Sequence, residues 1–220
     1  MDGSGSRTPG ESGRKSLSPP ELTEGPLSVS ADDISERYLR KAIAEINELG
    51  EEVAHAGRGE RVPVVGSGHP LADVFLLKYG PQASEVHEGV AFFGRAGQAI
   101  LKSLQRLRVD PSAIYGTNCL KFAGADEEQA KRWLEREIHV VQPKLIVVMG
   151  QDALECLNAV NFPLAADVAI ETGTIQRFTA TIDALVVPDI DASLDEQAKK
   201  REFWDAFKAI GPWWSELPPY

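Results

Sequence analysis

Cysteine is scarce in this chain and long apolar runs are missing. Two cysteines, Cys119 and Cys156, occur in 220 residues, neither in a Cys-x-x-Cys spacing. That speaks against a disulfide framework and excludes any four-thiolate zinc or iron–sulfur site built from this chain alone. No stretch approaches the ~18 apolar residues a membrane span needs, and the first residues are polar, without the apolar core of a secretion signal. A soluble, cytoplasmic protein with no membrane contact is the expectation. Positive charge is also in deficit: 23 basic against 33 acidic residues leave a net charge of -10 and a pI near 4.9. A polybasic protein that grips nucleic acid by bulk charge is thereby excluded. No two histidines have metal-ligand spacing, so no metal is expected.

What is present divides the chain. Residues 1–30 are dense in Gly, Ser, Pro and Glu, with too few apolar groups to offset the entropy of ordering, and are expected to form a disordered tail. From Ser30 or Asp32 a capping residue, early acids and Ile34, Tyr38, Leu39, Ala42, Ile43, Ile46 and Leu49 at helical spacing predict an amphipathic helix over 31–55, packed on the domain as a brace. A domain follows over 60–212, and then a short C-terminal tail, 213–220.

Within that domain the strand-like runs 72–80, 114–120, 144–150, 174–181 and 184–187 alternate with helical patterns over 96–109, 126–143, 151–160 and about 194–210. The alternation predicts an α/β fold, a three-layer αβα arrangement around a central, mainly parallel sheet of about four strands. Charge is uneven: residues 1–60 carry 7 basic and 12 acidic groups, 61–150 carry 11 and 9, and 151–220 carry 5 and 12. The central third is thus the least hostile to a phosphate backbone, with Arg95, Lys102, Arg106 and Arg108 close together.

Ligands of open α/β sheets bind beyond the carboxyl ends of the strands. Three stretches fall there: Lys78–Gln82 running on to Phe92–Gln98, Thr117–Lys121, and Pro188–Ser193. Together they resemble a known set. EGVAFFGRAGQAILKSL is similar to the GxPFVGxAGxxL motif of the family 4 uracil-DNA glycosylases and their relatives, TNCLKF to TNxVKC, and PKLIVVMGQDAL to the PxxIxxLGxxA strand and helix. The resemblance runs in order over about residues 70 to 195. It implies a protein of DNA base-excision repair that hydrolyses the N-glycosidic bond of uracil or another deaminated base. Its partner would be DNA, single-stranded DNA included, with a flipped base, and the protein would be a monomer without cofactor.

Carried over position by position, the resemblance implies that Phe92 stacks on the extruded base and that the Asn118 amide reads its edge, with Gly80 beside it. A flipped base needs a π-face to replace its lost neighbours, and an amide matches the acceptor and donor on the uracil edge. Gly94, Arg95, Gly97 and Ser193 are the implied contacts to the DNA backbone. The catalytic positions depart from the pattern. The water-positioning carboxylate becomes Tyr79, and the histidine that steadies the departing base becomes Asp191, an anion that repels the charge developing on the base oxygen or, if the chain places it on the sugar side, steadies the sugar cation or holds a water. Glu85 and Glu88 follow in what reads as a solvated loop. The family's third cluster cysteine falls at Phe122 and its fourth near Ala130, which reads as an apolar plug in place of a metal centre. Tyr79, Phe92, Asn118 and Asp191 are expected to line one pocket. A second function stays open: a catalytically degenerate relative that binds a nucleobase or nucleic acid, or a protein partner through its acidic termini.

Overall fold

The computed structural model of the protein describes residues 30–57, 59 and 61–218, with Met1 and Gly3; the expected tail otherwise lies outside the described residues. Ser30 opens the first helix. Its hydroxyl accepts from the Asp33 N–H while the Asp33 carboxylate accepts from the Ser30 N–H, closing a capping box at the start of α1 (Ala31–Ala56). The helix packs through Leu49 and Val53 against Phe122 and Trp133. Glu52 ties it down by accepting from the Trp133 indole at 2.9 Å and from Arg136. The indole hydrogen bond, helped by Arg136, holds the Glu52 carboxyl below the usual range.

The domain then runs β1 (Ser67–Gly68), β2 (Val74–Lys78), α2 (Ala83–Glu88), α3 (Arg95–Leu107), β3 (Ile114–Asn118), α4 (Glu127–Val141), β4 (Leu145–Met149), α5 (Gln151–Asn158), β5 (Ile175–Arg177), β6 (Asp183–Val187), α6 (Ile190–Ser193), α7 (Gln197–Phe207) and α8 (Ile210–Ser215). The six strands lie in the order β1-β3-β2-β4-β6-β5, with the inner four parallel and each edge strand antiparallel to its neighbour. The expected count of about four matches the inner strands. The edge strand β5 falls inside the expected run 174–181, whereas β1, two residues long, is too short to leave an alternation in the sequence.

The inner strands are buried on both faces, as parallel strands covered by crossover helices must be. Phe75, Leu77, Tyr115, Ile146 and Val148 face α4 and α5, while Val74, Leu76, Ile114, Leu145 and Val147 face α3, α7 and α8. This parity decides which side chains can meet beyond the strand ends. The helix expected near 194–210 is α7, with the shorter α6 before it and α8 after it. Trp213 and Trp214 lie in α8 against the core, and the Trp213 indole donates to Asp183 at 2.9 Å.

A buried ionic network crosses the α4 face. Lys121 pairs with Glu137 at 2.5 Å, with their side chains 1% and 3% exposed. The Tyr115 and Thr117 hydroxyls each donate to the Glu137 carboxylate at 3.0 Å. Lys121 also donates to Thr117 Oγ1 at 2.6 Å and to the Asn118 carbonyl at 2.9 Å, fastening the end of β3. Burial, reinforced by the Glu137 charge, pushes the Tyr115 phenol far above its ordinary range, so it stays a donor.

Candidate functional site

Two polar residues end adjacent parallel strands side by side. Lys78 closes β2 and Asn118 closes β3 in direct register, both on the face that carries α3. Lys78 is 1% exposed, and its ammonium pairs with Glu85 Oε2 at 2.6 Å and Asp191 Oδ2 at 2.7 Å. A buried lysine is tolerated only with such partners. Asp191 was expected to repel the charge on a departing base or, from the sugar side, to hold a water. It sits in the first turn of α6, its carboxylate partly exposed and paired with Lys78, which it shares with Glu85.

Glu85 corrects the reading of a solvated loop. It lies in α2, is fully buried, and uses every face of its carboxylate: the Gln82 N–H donates to it at 2.7 Å, the Phe92 N–H donates to the other oxygen, and Lys78 completes the set. A six-residue helix is too short to show a period, and a glutamate in a Gly- and Pro-flanked stretch looks solvated from sequence alone. Lys78 was missed for a related reason, since a lysine after an apolar run resembles a strand reaching water. The available signal was parity, which groups Lys78 with inward-facing Val74 and Leu76.

Phe92 stands over this cluster with its ring centroid 5.6 Å from the Lys78 ammonium. Its φ of 59° is left-handed, a conformation costing a non-glycine residue about 1–3 kcal/mol. The hydrogen bond to Glu85 holds it there. Gly116 makes room for the ring: a Cβ at this position would lie 2.7 Å from Phe92 Cδ2, and one at Gly97 would lie 1.9 Å from the Phe92 carbonyl oxygen. Phe92 is half-buried and also lines an apolar cleft of about 440 Å³ with Phe93, Gly94, Leu101, Leu104 and Gly116. Gly116→Ala should therefore push the ring out and destabilise the fold by about 1–3 kcal/mol, measured as a shift in urea midpoint.

Asn118 is wholly buried, and both its amide nitrogen and its amide oxygen lack a hydrogen-bond partner among the described residues. Each such group costs about 1–3 kcal/mol and calls for an explanation.

The remaining expected residues divide. Gly80 faces open space at the end of β2, and Gly94 precedes α3 beside Ser84. Arg95, largely exposed, reaches across to Asp195 at 2.7 Å and to the Leu194 carbonyl. Arg106 packs on the Trp204 ring. Ser193 is buried and spends its hydroxyl on the Asp189 carbonyl at 2.6 Å, so it does not face a DNA backbone. Tyr79 departs from the single-pocket expectation. One residue beyond Lys78, it falls on the opposite face, where it lines a separate cleft with Leu120, Ala130, Lys131, Asp152 and Cys156. Burial, and the acids Glu127 and Asp152 next, raise its phenol above the ordinary value. Phe92, Asn118 and Asp191 therefore surround Lys78, and Tyr79 does not.

The residues do not fit an iron–sulfur cluster. Phe122 packs edge-to-face on Trp133 with centroids 6.0 Å apart, and Ala130 is a buried residue of α4 itself. Among the described residues no group of three or more His, Cys, Asp or Glu is placed to hold a metal. No helix of the described residues is long and apolar enough to cross a membrane.

The chain is 23% identical over 159 residues to a type-4 uracil-DNA glycosylase of Archaeoglobus fulgidus, covering 67% of this chain and 80% of the relative. It is 29% identical over 104 residues to that of Pyrobaculum aerophilum, covering 44% of this chain and 52% of the relative. With that of Sulfurisphaera tokodaii it shares 26% over 97 residues, 40% of this chain and 44% of the relative. The chain thus spans about half the length of two of these relatives and four-fifths of the third. The family model described as "Uracil DNA glycosylase superfamily" matches residues 65–208, a span that takes in β2, β3, β4, β6 and the strand-end cluster together, and the chain belongs to that superfamily.

Proposed function

We propose that the protein hydrolyses the N-glycosidic bond of uracil or another deaminated base flipped out of DNA, with its catalytic charges redistributed around Lys78. The observation that carries this reading is the Asn118 amide, a buried donor and acceptor left unpartnered among the described residues, in register with Lys78, whose ammonium lies over the Phe92 ring. A uracil-like edge supplies the complementary acceptor and N–H. Lys78 spends two of its three donors on Glu85 and Asp191, which leaves one for a base oxygen.

In this scheme the C1′–N bond breaks with its electron pair leaving on the base, where Lys78 faces the developing oxyanion. With two carboxylates and one ammonium, the cluster carries one net negative charge, which suits the cationic character growing on the sugar. Asp191, the more exposed of the two acids, orients the water that attacks C1′ and takes its proton. The base anion is then protonated, giving free base and an abasic site.

The Lys78 side chain also favours a second reading. Its ammonium occupies the ring face of Phe92 on which a base would stack, as expected of a relative that binds without turnover. The test is incubation of the purified protein with single- and double-stranded oligonucleotides containing uracil, hypoxanthine or xanthine, followed by alkali to reveal abasic sites. Strand cleavage is expected. Asn118→Ala, which removes two hydrogen bonds to the base, should lower it by about tenfold to a hundredfold. Retained binding without cleavage would establish the second reading.

A further inference from the structure

Helix α3 carries Arg95, Lys102 and Arg106 and no Asp or Glu in its 13 residues, within a chain whose net charge is -10. Their spacing, seven residues and then four, puts the three cations on one helical face. Arg106 reaches from that face to α7, its guanidinium carbon 5.8 Å from the centroid of the Trp204 ring. Between the two helices lies a groove of about 190 Å³, lined by Arg106, Lys200 and the half-buried Trp204, with Ile190 and Leu194 from α6 and its end. Helix α6 also carries Asp191, the partner of Lys78, so groove and strand-end cluster share one element.

We propose that the groove between α3 and α7 carries the single-stranded DNA flanking a flipped nucleotide, with Arg106 and Lys200 on its phosphates and the Trp204 ring against an unpaired base. This rests on the reading of the Lys78 cluster as a site for a base flipped out of DNA. Charge favours a polyanion here. Among the described residues no carboxylate lines the groove, and neither Arg106 nor Lys200 has an ion-pair partner, whereas Lys199 and Lys208 at the two ends of α7 are paired with Glu196 and Asp205.

An anion already sits beside this path. Arg95 pairs with Asp195 at 2.7 Å, both side chains being largely exposed. The hydrogen bond and charge of Arg95, with Lys200 acting in the same direction, hold the Asp195 carboxyl below its ordinary range. An exposed pair of this kind is worth at most about 1 kcal/mol, so a phosphate can take the place of the carboxylate. From Arg95 to Arg106 the helix rises about 16 Å, enough to follow a strand past the flipped nucleotide. An aromatic ring beside free cations suits a single strand, whose unpaired bases have a face to stack, and not a duplex, whose bases stack on one another.

The test titrates the full chain, by fluorescence anisotropy at several salt concentrations, with a labelled single-stranded oligonucleotide carrying one central uracil and with the same sequence as a duplex. The double variant Arg106→Gln, Lys200→Gln should bind the single strand about tenfold more weakly and lose about 1.4 from the slope of log affinity against log salt, for two phosphates released, with duplex affinity held within about twofold. Trp204→Leu should weaken single-strand binding by about fivefold to a hundredfold, the loss of one stacked base. Asp195→Asn, which removes the competing anion, should tighten it by up to about fivefold. An unchanged salt slope in the double variant, an equal loss on single strand and duplex, or no response to Trp204→Leu or Asp195→Asn would each overturn the proposal. Base release from the same oligonucleotide keeps the two readings apart. Groove variants that lose affinity in a protein that releases no base would uphold the groove and reject the glycosylase; base release that depends on Asn118, with affinity untouched by the groove variants, would do the reverse.

Discussion

Glu137→Leu should destabilise the protein by about 3–5 kcal/mol, read as a fall in urea midpoint with unchanged slope. The carboxylate is buried and accepts from Lys121, Tyr115 and Thr117 at once. Its removal leaves the Lys121 ammonium, 1% exposed, without a counter-charge in a medium that solvates it poorly. Lys121 keeps the Thr117 hydroxyl and the Asn118 carbonyl, which partly offset that loss. Lys121→Met alone should cost a similar amount by stranding the carboxylate. The double variant separates pairing from packing. With both charges gone the desolvation cost disappears, so most of the stability should return. About 1 kcal/mol should be missing for each of the two hydroxyls that lose their acceptor. If the double variant were as unstable as the sum of the singles, the network would be holding the fold by shape and not by charge.

Much of the fold was legible because the chemistry that writes it is local. Apolar runs such as Leu145–Met149 and the stripe of Trp133, Leu134, Ile138 and Val141 identify strand and helix whatever lies around them. β1 and α2 were not legible, since their identity depends on partners outside their own short stretch: β1 exists through pairing with β3, and α2 through a carboxylate that binds Gln82, Phe92 and Lys78. The same division runs through the site. Ordered motifs point to Phe92, Asn118 and Asp191, whereas the burial of Lys78 among them does not show at the end of an apolar strand. Asp191 read alone looked repulsive because its counter-charge lies 113 positions away. Tyr79 looked equivalent to a catalytic acid by alignment, yet one step along a pleated strand turns a side chain to the opposite layer.

Lys78→Gln should lower base removal by about a hundredfold to a thousandfold, the usual effect of deleting a donor aimed at a developing oxyanion. Glutamine suits the question because its amide can still donate to Glu85 and Asp191, keeping hydrogen bonds while removing charge. The acids then carry two uncompensated negative charges beside the base, which penalises anion departure further. The loss should fall on turnover more than on affinity, since Phe92 and Asn118 still hold the base and the ammonium acts on charge that appears only as the bond breaks. Single-turnover rates and fluorescence-detected binding to a uracil-containing oligonucleotide, measured on the same preparation, separate the two quantities, and a thermal melt reports the accompanying loss of stability. The opposite pattern, tighter binding to the oligonucleotide with no turnover in either protein, would identify the Lys78 side chain as a plug over the Phe92 ring face and the protein as a binder. The sign of the change in affinity therefore decides between the two roles of one buried ammonium.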